Sequence, residues 1–326
     1  MIMTDKSPLI SVIVICYNQE KTIGRTLESI IGQKTNYTFE IIIGEDASPI
    51  DSTRQVCESY SNKFPNLIRL LPKEANKGIL KNYLDCIKEA SGKYIATCAG
   101  DDWWNNPDKL QLQVDFLEKN NDYGVVYTNF SSINLDSRQF IKFANNPKDT
   151  SYYPSGYIYR ELLLGNRISA CTVIFKRKLF LENVDLLSYK SMNFYMEDYP
   201  MWLEFANHTK FKYLSVPTST YTISNGSLSN HEKLKKIEEF EENCHLIRIH
   251  FIRKYPIDGI TEDYLNNFYY QSMAFKAILK GCYKEAYNYI KKSSEKNSKQ
   301  QVLKAICSNA ILSRLFSVYL KKVQGV

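Results

Sequence analysis

The chain has 326 residues, 44% of them hydrophobic, enough for one large core with a smaller lobe attached, because single cores stop growing at roughly 250–300 residues. Its formal charge of +7 is uneven: residues 264–326 hold 11 Lys/Arg against 2 Asp/Glu, so the basic character belongs to the tail. A basic tail with no nucleic-acid-binding module argues against nucleic acid as a partner, and eight scattered cysteines without a Cys-x-x-Cys pair favour a reducing, cytosolic compartment.

Residues 1–8 carry no basic stretch leading into an apolar one, so no secretory signal is expected. No run of about 18 apolar residues follows, which predicts a soluble or peripheral protein rather than an integral one. The β-branched run 9–15 predicts a strand, 21–32 a helix, 39–43 a strand and 52–62 a helix. The pattern repeats with a strand at 67–71, a helix at 78–90, a strand at 94–98, a helix at 107–119 and a strand at 124–129. Such alternation predicts an α/β fold with a mostly parallel, twisted sheet flanked by helices. Residues 131–170 are less regular and read as an excursion from the sheet. A strand is expected at 171–175, a helix at 197–207 and strand material at 211–223 broken at Pro217. From about His231 the text is helical, with breaks near Pro256 and at 296–298. The expected organisation is therefore a catalytic domain over residues 1–230 and a helical region over 231–326.

Three acidic clusters follow predicted elements. Asp46, in Gly44-Glu45-Asp46-Ala47-Ser48, could accept hydrogen bonds from a nucleobase or ribose, or could cap the next helix. Asp101 and Asp102, in Ala99-Gly100-Asp101-Asp102-Trp103-Trp104, are adjacent carboxylates that suit a hard divalent ion with diphosphate oxygens. They equally suit a solvated turn. Glu197 and Asp198 open a predicted helix, where the dipole alone favours acids, and a carboxylate there could also serve as general base. Ligands of open α/β sheets collect at the carboxyl ends of strands, where the first two clusters stand.

Taken in order, Tyr17-Asn18, Glu45-Asp46-Ala47-Ser48, Asn76-Lys77-Gly78 with Asn82, Gly92-Lys93-Tyr94-Ile95, Gly100-Asp101-Asp102 and Glu197-Asp198 form a pattern. Over residues 8–230 it resembles the bacterial family 2 glycosyltransferases, which have the glycosyltransferase A fold of nucleotide-diphosphate-sugar transferases. The resemblance implies a nucleotide-diphosphate-sugar donor, Mn²⁺ or Mg²⁺, inversion in a single displacement, and a glycan or lipid-linked acceptor in surface polysaccharide synthesis. It places Tyr17 against the base, Asp46 in hydrogen bond to it, Asp101 at the ribose or metal shell, Asp102 on the metal and Asp198 as general base.

Two positions depart from the family pattern. Ala99 stands where many members carry an acid, and Ser224 where a His is frequent. These departures motivate a second reading, a non-catalytic nucleotide-sugar-binding or scaffold subunit. The four histidines lie outside the acidic motifs and read as structural or surface residues. Trp202 reads as core, while Trp103 and Trp104 could line a cleft. Residues 303–323 have helical apolar spacing with cations on the polar side, so they either pack on the domain or lie on an anionic membrane leaflet. The latter would make the protein cytoplasmic and peripheral on the inner face of the cell membrane.

Overall fold

The computed structural model describes residues 7–135, 137, 139–141, 154–223, 233–294 and 298–324. The chain divides into two compact units, Met1–Ile223 and Ser224–Val326. The expected boundary at 230 lies outside the described residues, as do Ser224 and His231.

The first unit opens with β1 (Ile10–Cys16), α1 (Glu20–Ile31), β2 (Phe39–Glu45), α2 (Thr53–Lys63), β3 (Ile68–Leu70), α3 (Ile79–Glu89) and β4 (Tyr94–Ala99). The four strands pair in parallel in the order β3-β2-β1-β4. All of β1 except Ile15 is buried, the pattern of a parallel strand covered on both faces. One face packs Val12, Val14, Ile41, Ile43, Ala96 and Cys98 in a single cluster with Ile23, Leu27 and Ile30 of α1.

Then come β5 (Trp103–Trp104), α4 (Lys109–Lys119), β6 (Tyr123–Asn134), β7 (Phe140–Ile141), α5 (Tyr159–Leu164), a 3-10 turn at Ala170–Thr172 and β8 (Ile174–Lys176). The unit closes with α6 (Arg177–Asn183), α7 (Leu186–Ser191), α8 (Asp198–His208) and β9 (Lys210–Ile223). The sheet order is β3-β2-β1-β4-β8-β6-β9-β5, with β7 beside β6. Helices flank it as expected, but the parallel pairing is confined to the β3-β2-β1-β4 half and to β6 with β9. β8 runs antiparallel to both of its neighbours, and the excursion expected from residue 131 starts later, since Ser131–Asn134 still belong to β6 beside β9 and Phe140–Ile141 pair with β6.

The expected strand 171–175 begins instead as the 3-10 turn. Its carbonyls are collected by side chains: Thr97 Oγ1 donates to Ala170 at 2.6 Å, Trp104 Nε1 to Cys171 at 3.0 Å and Gln113 Nε2 to Thr172 at 2.8 Å. A ladder would leave those buried donors unpaired. The break expected at Pro217 does not occur: β9 runs on from Lys210 to Ile223, and Pro217 sits opposite Asn129 where the register with β6 shifts.

The second unit holds α9 (Leu234–Lys254), α10 (Glu262–Leu279), α11 (Tyr283–Lys292), α12 (Ser298–Ser308) and α13 (Ala310–Gln324). The break near Pro256 is present, the one expected at 296–298 falls mostly outside the described residues, and α12 begins at Ser298. Two more breaks occur among the described residues that periodicity did not reveal. Gly281 ends the α10 turn in a left-handed conformation, with φ of 74°. Asn309 separates α12 from α13: its Oδ1 accepts from the N–H groups of Ile311 and Leu312 at 3.0 and 3.1 Å, an N-cap. The single helix expected over 303–323 is therefore two, bent by 116°. Among the described residues no single helix is long and apolar enough to cross a membrane.

Candidate active site

Three parallel strands deliver their carboxyl ends to one edge. Cys16 pairs with Glu45 and Ile15 with Ala99, so Tyr17, Asp46 and the 100–102 turn leave the sheet at about one level. Backbone bonds lock this arrangement, Asp46 N–H to the Cys16 carbonyl at 3.0 Å and Gly100 N–H to that of Ile15 at 2.9 Å. Gly100 is required here, since a Cβ would stand 2.6 Å from both Cys16 Cβ and Gln19 Oε1.

Tyr17 is 45% exposed, an aromatic face open at the edge. Asn18 and Ala47 both take left-handed backbone, with φ of 54° and 55°, strain that tight functional loops often hold. The two loops are tied together: Asn18 N–H donates to Ser48 Oγ at 2.9 Å, and Ser48 N–H to Glu45 Oε1 at 2.6 Å. Asn18 Oδ1 is buried with no hydrogen-bond partner among the described residues.

Asp46 is buried and does more than cap. Its two carboxylate oxygens accept from Lys77 N–H and Gly78 N–H, each at 2.9 Å, and its carbonyl accepts from Asn76 Nδ2 at 2.9 Å. It therefore anchors the Asn76-Lys77-Gly78 turn, where Gly78 holds φ of 80°, and each oxygen keeps a lone pair for a ligand. Asp46→Ala should cost about 1–3 kcal/mol of stability, because two half-buried donors lose a charged acceptor. Denaturant unfolding of the variant beside wild type measures this, and an unchanged midpoint would contradict the anchoring role.

Asp102 is buried and Asp101 half-buried. Asp102 Oδ1 accepts from Thr222 N–H of β9 at 2.8 Å, and Thr222 Oγ1 donates to the Asp101 carbonyl at 2.6 Å. Burial, then the neighbouring Asp101 charge, hold the Asp102 carboxyl well above the usual range; burial also raises Asp101. Arg25 supplies the opposing cation: its guanidinium lies 3.5 Å from the Trp103 ring centroid, with Nη2 3.4 Å from the Asp101 carbonyl. Trp104 is buried and Trp202 fully so, with Trp202 packed on Phe175 and Phe205 as core.

Two adjacent carboxyls destabilised by burial and by each other are what a hard cation relieves. Among the described residues no group of three or more His, Cys, Asp or Glu gathers around a common point. The protein would thus give one or two carboxylates, and Mg²⁺ or Mn²⁺ bound that way completes its shell with substrate phosphates and water. The residues fit such an ion when a diphosphate accompanies it.

Glu197 is buried and Asp198 half-buried at the start of α8. Burial, then the Asp198 charge, push the Glu197 carboxyl up to about 8, and burial pushes Asp198 up to about 6. Asp198 accepts from Tyr199 N–H at 2.6 Å and from Asn166 Nδ2 at 3.4 Å. The helix dipole alone does not account for this pair, since dipole stabilisation lowers a carboxyl rather than raising it. Tyr83 of α3 is buried nearby, its hydroxyl without a partner among the described residues and its phenol held well above its ordinary value by burial and then by Glu197. α3 thus starts at Asp46 through Gly78 and carries Tyr83, whose phenol feels the charges of Glu197 and Asp198. Lys190 Nζ of α7 donates to the Lys77 carbonyl at 2.9 Å.

The family model for glycosyl transferase family 2 matches residues 11–180, more than half of the chain. The chain belongs to glycosyl transferase family 2. Uncharacterised relatives from Mycobacterium are 30% identical over 52% of the chain, which spans about half (47%) of their length. A curated Escherichia coli relative, UDP-Glc:alpha-D-GlcNAc-diphosphoundecaprenol beta-1,3-glucosyltransferase WfgD, is 29% identical over 79% of this chain and 97% of its own. Staphylococcus aureus TarS 1-349, solved with UDP-GlcNAc, superposes with a TM-score of 0.56 at 18% identity, covering 97% of this chain and 92% of that one. Mannosyltransferase PcManGT of Pyrobaculum calidifontis, solved with GDP-Man and Mn²⁺, gives 0.52 at 14% identity, with 97% and 89% covered. Both solved structures share the glycosyltransferase A type of fold.

Within this family frame, Tyr17, Asp46, Asp101 and Asp102 are gathered on one edge of the sheet, and the charge of Asp198 acts on Tyr83 of α3, the helix that starts at Asp46. Gln19, Arg25, Tyr83, Asn166, Cys171 and Thr222 were missed by the sequence reading. Arg25, Asn166 and Thr222 touch Asp101, Asp198 and Asp102 from distant parts of the chain, and Cys171 lies against Asp102, so no local spacing marks them, whereas Gln19 stands beside Tyr17 and accepts from its N–H at 3.4 Å. Of the described histidines, His245 stacks on Tyr269 at 4.6 Å, His250 meets Phe251 edge-on at 5.2 Å, and His208 lies 3.4 Å from the Glu204 carboxylate, which is not one of the candidate acids.

Proposed function

We propose that this chain transfers a sugar, with inversion, from a nucleotide-diphosphate-sugar to a glycan or lipid-linked acceptor in bacterial surface polysaccharide synthesis. The observation that carries the reading is the pairing of a strand-edge acidic site with a second, buried acidic pair whose carboxyl is raised toward neutrality. A carboxylate with a pKa near the working pH is suited to general-base work. In the displacement the acceptor hydroxyl oxygen bonds the anomeric carbon, its proton passes to Asp198, and the bonding pair leaves with the diphosphate. Tyr17 and Asp46 hold the base and Asp101 the ribose. Asp102, with Asp101 beside it, would hold Mn²⁺ or Mg²⁺, which when bound neutralises charge on the leaving diphosphate. The Mn²⁺ complex of PcManGT supports metal use, and the diphosphoundecaprenol acceptor named for WfgD supports a lipid-linked one. That acceptor, together with the cationic tail, supports a cytoplasmic protein working on the inner face of the cell membrane.

A thermal-shift screen of nucleotide sugars with Mn²⁺ identifies the donor. Release of nucleoside diphosphate on adding acceptor, lost on chelation, distinguishes the enzyme from a scaffold subunit, which would bind donor and release nothing. The three acids retained at Asp46, Asp102 and Asp198 favour the enzyme over the scaffold.

The pH dependence follows from the raised pair. Transfer should rise as pH passes about 6, where Asp198 ionises. Stability should run the other way: a carboxyl raised in the folded state contributes stability that is full below its unfolded value and lost as pH climbs through its folded value. The melting temperature should therefore fall, through Asp198 near 6 and then Glu197 near 8. Glu197→Gln should flatten the upper part of that fall and leave the activity rise in place. Parallel melting curves for the two proteins between about pH 5 and about pH 9 would contradict it.

A further inference from the structure

α13 is turned inside out. Ser313 and Ser317 face the bundle at 0% and 6% exposure, while Ile311, Leu315, Val318 and Tyr319 are exposed at 71%, 63%, 62% and 60%. Positions i, i+4, i+7 and i+8 form one stripe on a helix, and Leu312, also exposed, widens it. Phe316 is the inward aromatic, 5.8 Å from Phe275 of α10. By contrast α12 packs in the ordinary sense, burying Leu303 and Cys307 with Ala277, Ile278 and Ile290. An apolar stripe of this length left in water, beside a face of small polar residues that is buried, marks an interaction surface rather than a core helix.

Charge decides what the surface fits. Residues 298–324 contain Lys299, Lys304, Arg314, Lys321 and Lys322 and no Asp or Glu. A second copy docked on the same face would bring one cationic segment against another, which opposes a two-fold pairing. An anionic bilayer answers both properties, since it takes the apolar side chains among its acyl chains and the cations among its headgroups. Among the described residues no single helix is long and apolar enough to cross a membrane, and α12 meets α13 at a bend of 116°, so the apolar stripe of α13 is offered along the side of a short helix.

We propose that the outward face of α13, from Ile311 to Tyr319, is a docking surface for an anionic lipid bilayer. This rests on the inner-face reading above and names the residues that carry it. Deleting the whole tail is a poor test, because Leu303 and Cys307 of α12 belong to the core of their unit. The full chain with Leu315→Asp and Val318→Asp changes only exposed positions. Co-sedimentation should capture wild type on phosphatidylcholine vesicles containing phosphatidylglycerol, at least about tenfold better than on phosphatidylcholine alone. Raised salt should weaken capture, and the double variant should lose it while its melting temperature and donor turnover stay those of wild type. Equal capture of wild type and variant, no preference for the anionic vesicles, or a wild-type dimer that the variant dissolves would each overturn the proposal. Nucleoside diphosphate release with a soluble acceptor, measured on the same samples, separates the two readings. Its absence in a protein that still binds vesicles sinks the transferase reading and leaves the docking surface standing.

Discussion

Asp198→Asn should reduce sugar transfer by about 10² to 10⁴, the usual contribution of a positioned general base, while donor affinity stays near that of wild type. The acceptor hydroxyl is a weak nucleophile until its proton has somewhere to go. Asp198 opens α8 with one oxygen on Tyr199 N–H and the other toward Asn166, so an amide fits the same space and keeps an acceptor for the first bond. What it loses is basicity. The donor is held elsewhere, by Tyr17, Asp46 and the Asp101-Asp102 turn, which is why binding and transfer should separate. A helix cap would behave differently, since its loss costs about 1 kcal/mol of stability and lowers both together. Initial rates with saturating donor, set beside calorimetric titration of the donor, provide the comparison. Transfer within tenfold of wild type would remove Asp198 from the role and leave Glu197 as the base.

Asp102→Asn should abolish metal-dependent donor binding, weakening it by about 100-fold or more, since even groups behind a metal ligand are worth 10–100-fold. The fold should survive. Thr222 N–H can donate to an amide oxygen as it does to Asp102 Oδ1, and removing one of two buried like charges relieves the repulsion that raises this carboxyl. The neutral oxygen is a poor ligand for a hard cation. Titration of donor with and without Mn²⁺, together with a melting curve, checks both halves. Donor binding that remains strong and metal-dependent in the variant would take the metal away from Asp102.

How much of this was legible in the sequence varies from residue to residue. The strands β1, β2 and β4 and the helices between them were readable to within a residue or two, because β-branched runs and helical apolar spacing are local properties of the chain. For the same reason the acids at the ends of those strands could be named in advance. The meaning of Asp46 was only half visible: an acid after a strand reads as a cap or a ligand contact. That its oxygens hold the N–H groups of Lys77 and Gly78, some 30 residues on, depends on α3 returning beside β2. Thr222 lies 120 residues beyond Asp102, and nothing in either segment announces the bond between them. The helix break at Asn309 was available as an Asn cap, but the apolar period ran on through it and masked the signal.

What the sequence determined by itself was the alternating order of strands and helices, the family pattern, and the identity of the acids on the sheet edge. These follow from short-range periodicity and from residue type, which act before any distant contact forms. Tertiary structure alone decided the antiparallel entry of β8, the burial that raises Glu197 and Asp198, and the outward turn of the apolar face of α13. Burial and strand direction depend on what packs from elsewhere in the chain. Amphipathic spacing says that a helix has two faces, and only the packed bundle says which of them meets water.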